Sequence, residues 1–230
     1  MEDLVNKYSD CVILVDKPIN WTSAKVINKM KKVLNIKKAG HSGTLDPRAT
    51  GLLIVCTGKK TKIITDIIGA DKDYEGSFRI GAVTPTFDTE SEEINITDTS
   101  SVTNEMIDSA CGKFQGEILQ TPPIHSAIKQ NGRPVYKLAR KGRTVELEAR
   151  KVNINKFTVN RISDTEVGFF VSVSKGTYIR SLANDFGKEI GVGAYLKTLR
   201  RTRIGQFDIN ILNDNFEELE GMKFSILRNY

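Results

Sequence analysis

Histidine and cysteine are scarce in this chain, which narrows its chemistry. There are two histidines, His41 and His125, and three cysteines, Cys11, Cys56 and Cys111. The cysteines are odd in number, widely spaced and form no CxxC pair. A structural zinc site and a disulfide framework are therefore not expected. Cys11 and Cys56 sit inside apolar runs and read as small buried hydrophobes, in keeping with a reduced, cytoplasmic setting. Long apolar runs are also lacking: none approaches the roughly 18 residues of a membrane span. Met1 to Asp10 is polar and carries no signal-peptide core. The chain contains no P-loop, no dinucleotide fingerprint and no nucleophile elbow. Neither an internal repeat nor a low-complexity linker is visible, and no cofactor or metal is expected.

What is present is a globular composition: 230 residues, 39% hydrophobic and 27% charged. That length can bury a core unaided and corresponds to one large domain or two small ones. We read one mixed α and β domain with insertions. The net charge of +6 is unevenly spread. Residues 1–72 carry +6, 73–110 carry −8, 111–160 carry +7, 161–207 carry +4 and 208–230 carry −3. Basic stretches flanked by an acidic insert and an acidic tail fit a face that meets a polyanion. An ordinary basic cytosolic protein fits equally well.

Periodicity places the elements. Cys11–Val15 and Leu52–Cys56 read as buried strands. Between them a helix starts near Thr22 or Ser23, either able to cap it. Val26, Ile27, Met30, Val33 and Leu34 form its apolar stripe. Gly40–Gly51 reads as a loop, and Lys59–Ile68 as a helix ending at Gly69. Tyr74–Ile80 alternates as a strand. Residues 84–101, the acidic insert, read as a loop or edge hairpin pointing away from any polyanion. Thr103 caps a helix carrying Met106, Ile107, Ala110 and Cys111. Asn131-Gly132 signals a hairpin, followed by a short helix from Pro134 to Gly142. Val167, Phe169, Val171 and Val173 mark a strand, and Ile179, Leu182, Ala183, Phe186 and Ile190 a helix. Phe207, Ile209 and Ile211 suggest a last strand.

Three constellations could carry chemistry. In Gly40-His-Ser-Gly-Thr-Leu-Asp-Pro-Arg-Ala-Thr-Gly51, glycines allow close backbone approach and Pro47 holds Asp46 extended. Asp46 is thus either a catalytic carboxylate on a stiffened loop or a turn aspartate accepting backbone N–H groups. In Lys175-Gly-Thr-Tyr-Ile-Arg180, Tyr178 and Arg180 stand at a helix N-terminus. Arg180 either pairs with a buried carboxylate or makes a marginal surface pair. The stretch Lys129–Arg143, free of acids, and Leu199–Arg203 offer phosphate contacts or a solvated face.

These segments together resemble a known family. The Gly40–Gly51 loop is similar to the catalytic motif of TruB-family tRNA pseudouridine synthases. Lys17-Pro-Ile-Asn-Trp-Thr-Ser23 resembles the family's KPxGxTS element. Tyr74, Ile80-Gly81, Thr84, Thr86 and Asp88 resemble its Y…LGxxTxTxD stretch. Gln120–Gly142 resembles its QxPPxYSAxKxxGxxxYxxARxG segment, and Lys175–Arg180 and Leu199–Arg201 its KGTYIR and LRR elements. Asn20 replaces a glycine, tolerable because asparagine accepts a left-handed backbone. Ser42 stands for Gly or Thr, and His125 for the tyrosine of PPxYS.

The resemblance implies a pseudouridine synthase fold of the α+β class: a long, bent, mainly antiparallel mixed sheet flanked by helices. It implies a single catalytic domain over residues 1–230, without the PUA domain many bacterial members append. The implied reaction converts a T-loop uridine of tRNA (position 55 in standard tRNA numbering) to pseudouridine. Asp46 would be the nucleophile, Tyr74 would stack on the flipped uracil and serve as a base, and Arg180 would pair with Asp46. His41 and Tyr178 would contact or orient substrate, and Leu199 would wall the pocket. Candidate RNA-backbone contacts are Lys129, Lys137, Arg140, Lys141, Arg200 and Arg201. The implied partner is the T-arm of tRNA, met by a monomer needing no protein partner. The alternatives are a pseudouridine synthase for another RNA and a tRNA-binding or folding module without turnover.

Overall fold

The protein is described from a computed structural model covering residues 7–124, 126, 129–130, 133–134, 147–214 and 216–227, with backbone alone at 129–130, 133–134 and 213–214. The chain divides into two compact units, residues 1–75 with 199–230, and residues 76–198.

The first unit begins with strand β1 (Val12–Lys17), helix α1 (Ser23–Val33), and strands β2 (Ala39–His41) and β3 (Thr50–Thr57). A 3-10 turn (Gly58–Ile63) leads into helix α2 (Ile64–Gly69) and the start of β4 (Lys72–Ile80). The chain returns along the end of β10 (Ala194–Ile204) and closes with β11 (Phe207–Asp208), helix α5 (Ile211–Asp214), β12 (Glu217–Leu219) and β13 (Met222–Leu227). The strand order is β12-β13-β1-β3-β10-β4, with β2 also on β3 and β11 also on β10. β1 is antiparallel to β13 and β3, but β10 runs parallel to β3, which makes the sheet mixed.

β1 and β3 read as unbroken apolar runs because both of their faces are covered. Ile13, Val15, Leu53 and Val55 meet Val26, Ile27 and Met30 of α1 on one face. Val12, Leu14, Leu52, Ile54 and Cys56 meet Ile67, Ile204 and Phe207 on the other. Thr22 caps α1 by accepting from the Lys25 amide at 3.0 Å.

The second unit holds the rest of β4, α3 (Asn104–Gly112), β5 (Gly116–Gln120), β6 (Lys129–Gln130), β7 (Arg133–Pro134), β8 (Arg150–Ser163), β9 (Glu166–Val173), α4 (Ile179–Glu189) and the start of β10. Its sheet runs β10-β4-β9-β8-β5. Val167, Phe169, Val171 and Val173 alternate inward on β9 as predicted. Phe78 stacks on Phe169 at 4.3 Å between centroids and tilts against Phe186 and Phe157, a ring cluster tying sheet to helix.

Several expectations need correction. Val33 and Met106 lie on their helices' exposed sides, one residue off the buried stripe. The helix expected from Lys59 opens as a 3-10 turn, and Gly40-His41 belong to a strand rather than the loop. Ile211 starts helix α5 instead of continuing a strand. The acidic insert is not wholly outward: Thr84, Asp88 and Thr99 are buried, and Val83 bridges to Ile94. β6 and β7 pair antiparallel on either side of Asn131-Gly132, so Pro134 ends a strand instead of opening the expected helix, and residues 135–142 lie outside the described residues.

Candidate active site

The loop carrying Asp46 runs from the end of β2 to the start of β3. Two adjacent residues at the entrance of α1 divide the work of holding it. Thr22 caps the helix, which frees Ser23 to turn inward. The Ser23 hydroxyl accepts from the Leu45 amide at 2.9 Å and donates to the Leu45 carbonyl at 3.3 Å. The Pro47 carbonyl accepts from the Asn20 amide at 2.8 Å and from the Lys17 ammonium at 3.4 Å. Asn20 has φ 66°, the left-handed backbone its side chain tolerates, and its Oδ1 accepts from Arg48. The Ala49 amide donates to the Asp46 carbonyl at 3.1 Å, closing a turn. The loop backbone is thus satisfied on both sides of Asp46, whose own side chain is half-buried.

Two cations lie beneath the loop. Lys17 is fully buried and also donates to the carbonyls of Trp21 at 2.7 Å and Pro18 at 3.1 Å. Burial pushes its pKa down to about 8, with the Asp46 carboxylate opposing that fall and Arg201 adding to it. Arg201 is buried on β10 and donates to the carbonyls of Leu52 at 2.7 Å and Gly43 at 3.2 Å. It therefore does not present its guanidinium to solvent, and its expected RNA-backbone contact is corrected to a brace for the loop. Arg200 is half-buried in a two-bond pair with Asp16, at 2.7 and 3.0 Å. Gly51 is obligatory here. It lies opposite Arg201 in the parallel ladder at φ 98°, and a Cβ would come within 2.3 Å of the Arg201 carbonyl oxygen.

His41 ends β2 at the loop's entrance, half-buried. Burial lowers its pKa first, a bond with the Gly43 backbone opposes this, and the Arg201 charge lowers it further, so the imidazole is neutral near pH 7. Tyr74 is buried on β4, and Leu199 is half-buried on β10, its carbonyl accepting from Thr50 at the loop's far end. His41, Asp46, Tyr74, Leu199, Arg200 and Arg201 all belong to the first unit.

Tyr178 and Arg180 belong to the second unit, at the start of α4. Gln120 frames Tyr178: its amide oxygen accepts from the Tyr178 N–H at 2.8 Å and its amide nitrogen donates to the Tyr178 carbonyl at 3.1 Å. The Arg150 guanidinium stacks on the Tyr178 ring at 5.1 Å. Arg180 is buried, and Asp88 supplies a buried carboxylate at 3.6 Å. Asp88 is in turn held by the Thr86 hydroxyl at 2.6 Å and the Glu90 amide at 2.9 Å. Of the two readings for Arg180, the buried pair holds.

Ser23, Asp88, Gln120 and Arg150 are the site-supporting groups that sequence reasoning left without these roles. Only the Thr-Ser tandem at a helix start hinted that one hydroxyl was spare. Lys129 is described by backbone alone, and Lys137, Arg140, Lys141 and His125 lie outside the described residues. Among the described residues no cluster of His, Cys, Asp and Glu could hold a metal ion. No described helix is long and apolar enough to cross a membrane.

A half-buried carboxylate on a braced loop, with buried cations beneath it, suits nucleophilic catalysis. Comparison with known proteins supplies the family. The family model for the TruB family pseudouridylate synthase N-terminal domain matches residues 31–179. This chain belongs to the TruB family. A tRNA pseudouridine synthase B from Flavobacterium johnsoniae is 48% identical over 205 residues, spanning 86% of this chain and 90% of that protein. One from Chlorobaculum tepidum is 46% identical over 203 residues, spanning 86% and 85%. Among solved structures, a chain of a Cbf5-Nop10-Gar1 complex is 32% identical with a TM-score of 0.69, covering 89% of this chain and 52% of that one. A chain of an H/ACA RNP bound to a substrate RNA is 31% identical with a TM-score of 0.66. The TruB-family chain described here spans about half the length of those two solved chains.

Proposed function

We propose that this protein isomerises uridine to pseudouridine in the T-loop of tRNA, at position 55, with Asp46 as the nucleophile. The reaction breaks C1′–N1, turns the uracil and forms C1′–C5, with a proton leaving C5 and one gained at N1. The observation that carries the reading is the Asp46 loop itself. Its backbone is held by Ser23, Asn20, Lys17 and Arg201, so the carboxylate is presented without having to order first. A flipped uridine costs a few kcal/mol to extrude. Stacking on Tyr74 returns roughly 1–3 kcal/mol of that. The family resemblance adds His41, Tyr178, Arg180 and Leu199 as groups around the target nucleotide. Arg200 and the basic stretch Lys129, Lys137, Arg140 and Lys141 remain candidates for the RNA backbone. The protein acts as a cytoplasmic monomer on the T-arm without a protein partner.

The test is incubation of the protein alone with unmodified tRNA, followed by pseudouridine mapping and gel filtration. Signal at the T-loop position from a monomer is expected. Asp46→Asn should fold, bind tRNA and form no pseudouridine. Turnover by that variant rejects the nucleophile assignment, and signal elsewhere in the RNA rejects the substrate assignment.

A further inference from the structure

Three arginines follow one another closely on β10, and they are not alike. Arg200 and Arg203 have carboxylate partners, Asp16 and Asp73. Arg201 lies between them, 1% exposed, the largest of the fully buried side chains. Among the described residues its guanidinium meets carbonyl oxygens, those of Leu52 and Gly43, and no carboxylate. A buried cation without an ionic partner is costly, and an apolar residue would fill the same space more stably. The position therefore calls for a function that needs the guanidinium.

Its contacts say which. The Arg201 backbone pairs with Gly51, and its side chain reaches Leu52, both at the loop's exit. The same side chain reaches Gly43, three residues before Asp46, at the loop's entrance. One planar group with fixed donors thus ties the two ends of the catalytic loop to a single strand. Lysine carries all its donors on one atom, whereas Arg201 donates from two separated atoms of a rigid plane, Nε to Leu52 and Nη2 to Gly43.

We propose that Arg201 is a positioning residue, which clamps both ends of the Asp46 loop through the Leu52 and Gly43 carbonyls and so sets where the nucleophile stands. The proposal rests on the isomerase reading for its activity assay and on the loop geometry alone for its structural assay. A misplacement of about 1 Å at a reacting centre costs on the order of a hundredfold in rate.

The experiment compares Arg201→Ala and Arg201→Lys with the unaltered full chain. Three quantities are measured: tRNA affinity, single-turnover pseudouridine formation, and hydrogen exchange at the Leu45 and Ala49 amides. Arg201→Ala should bind tRNA within about threefold and slow the single-turnover step roughly a hundredfold, with both amides exchanging faster. Added ethylguanidinium should restore at least a tenth of the lost rate and slow the exchange, whereas neutral N-methylurea should do so less. Arg201→Lys should recover little, and it carries the test if Arg201→Ala does not fold. Loop exchange and rate both unchanged would overturn the proposal, and so would a loss of affinity equal to the loss of rate. If the unaltered protein makes no pseudouridine, the isomerase reading fails, and the exchange data decide the role of Arg201 on their own.

Discussion

Lys17→Met isolates one buried charge whose energetic signature depends on pH. The ammonium is fully buried on three carbonyls, and its pKa falls from 10.5 to about 8. Desolvation dominates that fall, outweighing the favourable field of Asp46. At about 1.4 kcal/mol per pH unit, holding Lys17 charged in the folded protein costs roughly 3 kcal/mol. Between about pH 8 and 10.5 the unfolded chain keeps this proton and the folded chain has released it. Raising the pH through that window therefore favours the folded state, and below it the full cost is present. Methionine has a similar length and no charge, so the variant lacks this response. Urea unfolding of both proteins from about pH 7 to 10.5 should show the stability difference moving by roughly 2–3 kcal/mol in favour of the lysine form as pH rises. Cys56 and Cys111, both pushed up to about 11 by burial, titrate alike in the two proteins and cancel from the difference. Parallel curves would refute the reasoning, because a lysine with an ordinary pKa produces no such window.

Asp88→Asn should lower stability by about 1–3 kcal/mol in urea unfolding, since it removes the buried carboxylate that faces Arg180 and accepts from Thr86 and Glu90. A loss below about 1 kcal/mol would show that the pair is not held in the interior. Gly51→Ala should fail to give soluble folded protein, because the added Cβ meets backbone of β10 rather than a movable side chain. Normal melting of that variant would argue against the parallel Gly51–Arg201 pairing. Asn20→Gly should be nearly neutral, while Asn20→Ala should cost about 1–2 kcal/mol for its left-handed backbone. Equal melting temperatures for the two would contradict the φ of 66°.

Local signals were legible without the structure wherever one element's pattern decided the outcome. The buried runs of β1 and β3, the Thr22 and Thr103 caps, the β9 alternation and the α4 stripe all follow from residues adjacent in sequence. The long strand β8 carries an interrupted burial pattern and so had no clean period to read. β12 and β13 are short and follow a polar, acidic stretch; β13 is a strand because β1 offers an edge to pair with, and β12 because β13 then offers the next.

By itself the sequence pointed to the family and singled out the Asp46 loop as the candidate site, since both are encoded in short, ordered motifs of residues whose chemistry is read directly. Only the tertiary structure decided which charges are buried and what they hold. Arg200, Arg201 and Arg203 look like one basic run, yet Arg201 alone turns into the interior to meet Leu52 and Gly43. Asp88 looks like one acid of an exposed insert, yet it closes on Arg180 far along the chain. Burial and partner choice are set by which distant strands and helices pack together, and no local pattern carries that information.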